Sequence, residues 1–157
     1  MELLLVRHAA AEARRRSRAD ARRGLTEEGR KRFRRCVRAL ERMGLRLDRI
    51  YHSPLLRAVE TADLLAPLLR GESVVTSHLA APPGDPLLRQ LAGERAALVG
   101  HEPYVSQLAS LLLFGTTEHA ARFPFRKGGA ALLTGPAAPG AMRLKAFLDP
   151  RQLRRLG

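Results

Sequence analysis

The sequence is poor in aromatic residues, in cysteine and in acidic residues. Aromatic side chains make up 4% of the 157 residues, and there is no tryptophan. Leu, Ala and Val must therefore supply most of the core. The scarcity of aromatics also argues against base stacking on nucleic acid, and no recognised nucleic-acid motif is present. Cys36 is the only cysteine, so an intramolecular disulfide is impossible, and a buried apolar role is favoured for its thiol.

Several kinds of segment are missing from the sequence. No Cys/His cluster has the spacing of a zinc site, so we expect no metal and no cofactor. The N-terminal residues lack the basic and apolar segments of a signal peptide. No run of about 18 apolar residues is present, so we expect no membrane span. These absences predict a cytoplasmic protein, and the length predicts one domain, 1–157.

Acidic residues are outnumbered by basic ones, 15 to 28, which gives a net charge of +13. Residues 1–50, with 16 basic and 7 acidic residues, carry +9 of it. Such a field favours anionic partners, either a phosphorylated protein or a nucleic acid. The alternative is a plain preference for Arg over Lys, and composition does not decide between them. The Arg-rich segment 14–23 is predicted to be part of a solvated loop or frayed helix within 9–25.

Apolar periodicity predicts alternating strands and helices. Thr26 is the predicted N-cap of the first helix, Ser53 that of the second with Pro54 at its first position, and Gly71 the stop of the second. The alternation implies βαβ units and an α/β fold. We expect a three-layer α/β/α sandwich, its sheet mostly parallel with an antiparallel edge. The predicted strands are 2–6, 50–52, 74–76, 96–99, 130–134 and 142–148, and the predicted helices are 27–43, 54–69, 87–92 and 103–114.

Basic and imidazole side chains follow three of the predicted strands. Arg7 and His8 follow the first, Ser53 and Arg57 the second, and His101 the fourth. Ligands of open α/β sheets bind beyond the carboxyl ends of the strands, where these residues meet. Two guanidinium groups match a tetrahedral phosphate, and a helix N-terminus favours anions further. One neutral histidine can attack phosphorus while the other stabilises the oxygens of the transition state.

Four motifs that contain these residues occur in order along the chain. Together they resemble the histidine phosphatase superfamily, which has the phosphoglycerate mutase-like fold, and its short SixA-type phosphohistidine phosphatases in particular. The segment Lys127-Gly128-Gly129-Ala130 is similar as well, whereas Ala9 stands where many members have glycine. The four motifs are Val6-Arg7-His8-Ala9, Leu25-Thr26-Glu27-Glu28-Gly29, Ser53-Pro54-Leu55-Leu56-Arg57-Ala58-Val59-Glu60-Thr61-Ala62 and Val99-Gly100-His101-Glu102-Pro103.

The resemblance implies a role for each matching residue. His8 would be the nucleophile that becomes phosphorylated. Arg7 and Arg57 would hold the phosphoryl oxygens, and His101 would complete the pocket. For Ser53, helix capping is the favoured interpretation, with indirect contact to phosphate as the alternative.

A general acid is the missing part of this pattern. Larger members of the superfamily carry it on an insertion after the third strand, but here only 77–95 separates the third and fourth strands. Asp85 can either reach the site or cap the helix at 86–92, and capping is favoured. A short connection implies an open pocket and a substrate that needs little acid catalysis. Phosphohistidine on a protein fits best, and the alternative is a small phosphate ester handled by the same fold.

Overall fold

The structure, a computed structural model, describes residues 1–14 and 19–157. It contains six strands that form one sheet and five α-helices joined by turns and short 3₁₀ segments. In chain order they are β1 Glu2–Arg7, α1 Glu27–Arg42, β2 Leu47–His52, α2 Leu56–Leu64, β3 Leu69–Val75, α3 Asp85–Gln90, β4 Arg95–Gly100, α4 Tyr104–Phe114, β5 Ala130–Thr134, β6 Arg143–Leu148 and α5 Pro150–Leu156.

The sheet has the strand order β3-β2-β4-β1-β5-β6. The first four strands of that order are parallel, and β5 runs antiparallel to both β1 and β6. Successive side chains of β1 point to opposite faces, so Leu4 joins the core beneath α1, α2 and α5, while Leu5 joins the core beneath α3 and α4. Both faces of β1 are therefore buried, which explains why its residues are apolar without alternation. The predicted three-layer α/β/α sandwich is confirmed.

The first helix begins as its sequence predicts. The side-chain oxygen of Thr26 accepts a hydrogen bond from Gly29 N at 2.9 Å, and the helix ends before Gly44, whose φ is +81°. Gly29 is required by close packing, because a Cβ there would lie 2.1 Å from the carbonyl oxygen of Ala10. This contact fixes the start of α1 against the segment that follows His8.

The second helix is shorter than predicted. It spans Leu56–Leu64 instead of 54–69, and a 3₁₀ turn over Ala66–Leu68 follows it. Pro67 explains the early end, because proline lacks the N–H that would continue the helix. The third strand accordingly starts at Leu69, and the predicted stop residue Gly71 lies within β3. There a Cβ would lie 2.2 Å from Asp48 O, so the close strand contact requires glycine.

The other strands and helices, the C-terminal helix and the Arg-rich segment agree with the predicted elements to different degrees. The remaining predicted strands and helices are present, with bounds shifted by up to three residues. Helix α5 was not predicted, although Asp149 caps it by accepting a hydrogen bond from Arg151 N at 2.7 Å and Pro150 opens it. Of the Arg-rich segment 14–23, residues 15–18 lie outside the described residues. Asp20–Arg22 form a short 3₁₀ turn without buried residues, within the segment predicted to be a solvated loop or frayed helix.

Cys36 is buried in α1, as its pattern predicts. Its Sγ lies 3.6 Å from the carbonyl oxygen of Pro150, and burial raises the pKa of the thiol to about 11. The thiol is therefore a packing group at neutral pH. Across the described ranges, the helices are too short or too polar to cross a bilayer.

Candidate active site

The loop after β1 is held from several sides. His8 N donates to Gly100 O at 3.0 Å, which ties the loop to the end of β4. Ala9 N donates to Thr61 Oγ1 at 3.0 Å, and that hydroxyl donates to Arg57 O at 2.6 Å. These contacts fix the nucleophile candidate relative to both β4 and α2.

The ring of His8 is fixed in one neutral tautomer. Its Nδ1 lies 2.7 Å from the carbonyl oxygen of Ala9, which can only accept, so Nδ1 carries the proton. Burial lowers the pKa of His8 to about 3; the Ala9 contact opposes this, and the charges of Arg57 and Arg7 add to it. At neutral pH the Nε2 lone pair of His8 is therefore available for attack on phosphorus.

His101 faces His8 across the site. The two ring centroids are 5.1 Å apart, and His101 Nε2 lies 2.7 Å from Ser53 Oγ. Burial lowers the pKa of His101 to about 4, the charge of Arg57 adds to this, and Asp20 opposes it. Ser53 thus orients His101, and the prediction that Ser53 caps the second helix is wrong. The helix begins at Leu56, and Ser53 Oγ accepts a hydrogen bond from Leu55 N, which lies before the helix, at 3.2 Å.

Two guanidinium groups complete the site. Arg7 Nη1 donates to Phe125 O at 2.7 Å, and Arg57 donates to both the backbone and the carboxylate of Asp20, at 3.0 and 3.1 Å. Within the described residues, Arg7 Nε, Arg57 Nε and His101 Nδ1 are buried and have no hydrogen-bond partner. Buried polar atoms left unpaired are costly, and three of them around a neutral histidine suit a tetrahedral oxyanion.

Asp20 is the site residue that the sequence interpretation missed. Its carboxylate also lies 3.2 Å from Arg23 and 3.5 Å from Arg14. Desolvation opposes ionisation, yet the charges of Arg57, Arg23 and Arg14 together hold the pKa of Asp20 below its usual value. The sequence contained one indication of this role. Asp20 is the single carboxylate of the Arg-rich segment 14–23, and such a residue can pair with a charged partner elsewhere in the chain.

Asp85 lies apart from these residues. It is the first residue of α3, whose N-cap is Gly84, and its exposed carboxylate pairs with Arg89 at 3.4 Å. The prediction that Asp85 caps this helix is therefore wrong. Its described contacts include none of the four residues Arg7, His8, Arg57 and His101.

The two buried histidines predict that the fold loses stability in acid. Their folded pKa values, about 3 for His8 and about 4 for His101, lie below the ordinary 6.5. Between those values the unfolded chain binds protons that the folded chain does not, so this stability is complete above pH 6.5 and falls below it. The slope reaches about 1.4 kcal/mol per pH unit for each histidine.

Urea unfolding at pH 7.5 and pH 5 measures this slope. We expect His8→Gln to have a smaller pH dependence than the parent protein, and His78→Gln, altered in the turn after β3, to retain it. A parent protein with the same urea midpoint at both pH values contradicts the prediction.

The sequence of the chain is similar to sequences of known proteins. Residues 3–80 match the model of the histidine phosphatase superfamily (branch 1). An uncharacterized protein of Picosynechococcus sp. is 34% identical to this chain. The match covers 95% of this chain and 92% of that protein. Within the described residues, no three His, Cys, Asp or Glu side chains are grouped so that they could hold a metal ion.

Solved structures show the same fold. The protein histidine phosphatase SixA complexed with tungstate has a TM-score of 0.78 and 23% identity, covering 98% of this chain and 99% of that one. A putative phosphohistidine phosphatase SixA from Agrobacterium tumefaciens has a TM-score of 0.75 and 25% identity, covering 95% and 97%. A putative alpha-ribazole-5'-P phosphatase from Escherichia coli has a TM-score of 0.75 and 16% identity, covering 96% and 97%.

The fold is thus phosphoglycerate mutase-like. The chain belongs to the histidine phosphatase superfamily. Its enzyme class is that of a phosphoric hydrolase.

Proposed function

We propose that the domain formed by 1–157 is a metal-independent phosphatase that removes phosphoryl groups from phosphohistidine on a protein. The observation that carries the proposal is the neutral His8 beside three buried nitrogens without partners, on Arg7, Arg57 and His101. An oxyanion is the ligand that would satisfy such groups. A cytoplasmic location stays a prediction.

The first half of the proposed reaction transfers the phosphoryl group to His8. Its Nε2 attacks phosphorus while Arg7 and Arg57 bind the phosphoryl oxygens. A bound dianion favours the charged form of His101, which then donates to an oxygen as charge develops in the transition state. Ser53 supports this step by orienting the His101 ring.

The second half releases phosphate. Water attacks the phosphorylated His8, and the bond between Nε2 and phosphorus breaks. Nδ1 keeps its proton, which it donates to the carbonyl oxygen of Ala9. His8 therefore leaves as a neutral imidazole and not as an imidazolate anion. The backbone of residue 9 therefore makes His8 a good leaving group without a separate acid.

The choice of phosphohistidine rests on the carboxylates around the site. Asp85 is exposed and paired with Arg89, and the charges around Asp20 favour its ionised form. Neither of these two carboxylates is placed to protonate a leaving alkoxide, as ester hydrolysis requires, and Glu102, in the cavity beside Arg7, is treated below as a hydrogen-bond acceptor. Imidazole is a far better leaving group, so a phosphoramidate suits this site. Of the two SixA structures named above, one is of a protein histidine phosphatase and the other of a putative phosphohistidine phosphatase, which supports the same choice.

A substrate panel tests this proposal. We expect kcat/KM for a phosphohistidine-containing protein domain to exceed that for glycerol phosphate or a sugar phosphate by at least about 10²-fold, because acid catalysis of that size is missing for esters. Parallel assays with and without a chelator test metal independence. Faster hydrolysis of a small ester would assign the protein to small-molecule phosphomonoesterases of the same fold.

A further inference from the structure

A cavity of about 540 Å³ opens beside Arg7. Arg7 lines it, whereas His8, Arg57 and His101 do not, so the cavity adjoins the phosphoryl site through Arg7. Such a volume is within the range of ligand sites and holds a side chain together with neighbouring backbone. Its walls are mostly apolar and include Pro103, Phe123 and Phe125, together with the exposed Arg126, whose charge is paired with Asp149 at 3.5 Å.

Among the described residues that line this cavity, Glu102 is the only acidic one. It directly follows His101, and one of its carboxylate oxygens, Oε1, lies 2.7 Å from the hydroxyl of Ser106 on α4. That hydroxyl also lies 2.6 Å from Phe123 O, and because it has one proton it donates to only one of the two oxygens at a time. Within the described part of the chain, Oε2 of Glu102 has no hydrogen-bond partner. Oε1 of Glu102 thus contacts Ser106 on α4, and Oε2 is the oxygen left for a ligand.

We propose that this cavity binds the imidazole ring of the substrate phosphohistidine and that Glu102 accepts a hydrogen bond from the ring nitrogen remote from phosphorus. This inference rests on the proposed function, since it concerns the leaving group of the same reaction. The substrate ring binds as a cation, with the phosphoryl group on one nitrogen and a proton on the other. Glu102 supplies the opposite charge.

The bonds and charges of the transfer balance. A bond forms between His8 Nε2 and phosphorus, and the bond between phosphorus and the substrate nitrogen breaks. The electron pair of that bond stays on the substrate nitrogen, and the proton stays on the remote nitrogen, held by Glu102. The substrate ring leaves as neutral imidazole, so no further acid or oxidant takes part.

The enzyme's own ring gives the reason to expect such a partner. The phosphoryl group passes between two imidazoles, and on His8 the remote proton is held by Ala9 O. The substrate ring needs an equivalent acceptor. Glu102 is the only carboxylate among the described residues of the cavity, whereas Asp20 is occupied by Arg57, Arg23 and Arg14.

Glu102→Gln tests the proposal, because it keeps the shape of the side chain and removes its charge. With a phosphohistidine peptide, kcat/KM should fall by about 10–100-fold, the usual contribution of a hydrogen bond to a charged group. With phosphoramidate, which has a P–N bond but no remote nitrogen, the change should stay within about 3-fold, and likewise with p-nitrophenyl phosphate. The control Glu118→Gln removes an exposed carboxylate and should change none of the three rates.

The possible outcomes are separable. Equal losses of Glu102→Gln on all three substrates, or no loss on any, would overturn the role of Glu102. A parent enzyme that hydrolyses p-nitrophenyl phosphate but not the phosphohistidine peptide would instead overturn the proposed function. Glu102→Asp provides a second variant that keeps the charge but withdraws it from the ring. It should show the same selective loss, and circular dichroism checks that both variants fold.

Discussion

Replacing His8 with alanine is expected to lower kcat by about 10⁴–10⁶-fold, the range found when an enzyme loses its nucleophile or base. The arginines and His101 keep their positions in this variant, because the contacts of Arg57 with Asp20 and of His101 with Ser53 do not involve the His8 ring. Inorganic phosphate should therefore still bind, with a Kd within about tenfold of the parent value. Isothermal titration with phosphate and a phosphohistidine assay measure both effects.

A labelling experiment adds a direct observation of the intermediate. The parent protein mixed with a phosphohistidine substrate and quenched within milliseconds should carry a phosphoryl group that is stable in alkali and labile in acid, as phosphoramidates are. His8→Ala should carry none, and His78→Ala should label like the parent protein. Near-normal turnover by His8→Ala would refute the nucleophile role.

Arg57→Ala is expected to lower kcat/KM by about 10²–10³-fold, since removing one donor from an oxyanion site costs about 3–4 kcal/mol. Arg57→Lys should recover only part of this loss, because a lysine keeps the charge but not the planar pair of donors. Arg89→Ala, at an exposed ion pair with Asp85, serves as the control and should leave the rate unchanged. A loss below about 10-fold in Arg57→Ala would contradict the assigned role.

Asp20 adds a second component to this prediction. Without Arg57, its carboxylate keeps Arg23 and Arg14 as partners and stays near the phosphoryl site. It should then repel the incoming dianion, so the double variant Arg57→Ala/Asp20→Asn should be faster than Arg57→Ala alone. Comparison of the two rates separates the lost donor from the added repulsion.

The sequence suffices for the fold class and for the meeting point of the four main site residues. Arg7, His8 and His101 each follow an apolar run that forms a central strand, and parallel central strands end at the same edge. This arrangement depends on local pattern and on general rules of α/β topology, so no knowledge of individual tertiary contacts is required.

Two of the errors at the site concern residues whose partners are distant in sequence. Ser53 has the local chemistry of a helix cap, but it pairs with His101, 48 positions away. Asp20 contacts Arg57, 37 positions away, and nothing in the neighbouring residues specifies that pairing. The missed helix α5 is a different case, since Asp149 and Pro150 are a recognisable helix start.

The position of β1 within the sheet has a consequence for how the site forms during folding. Its residues pair with Arg95–Gly100 on one side and with Ala130–Thr134 on the other. His8 directly follows β1, and its surroundings require β4 and β5, which lie far from it in the sequence. Contacts of such long sequence separation form slowly. A folding chain therefore completes its phosphate site late, together with the closing of the central sheet around β1.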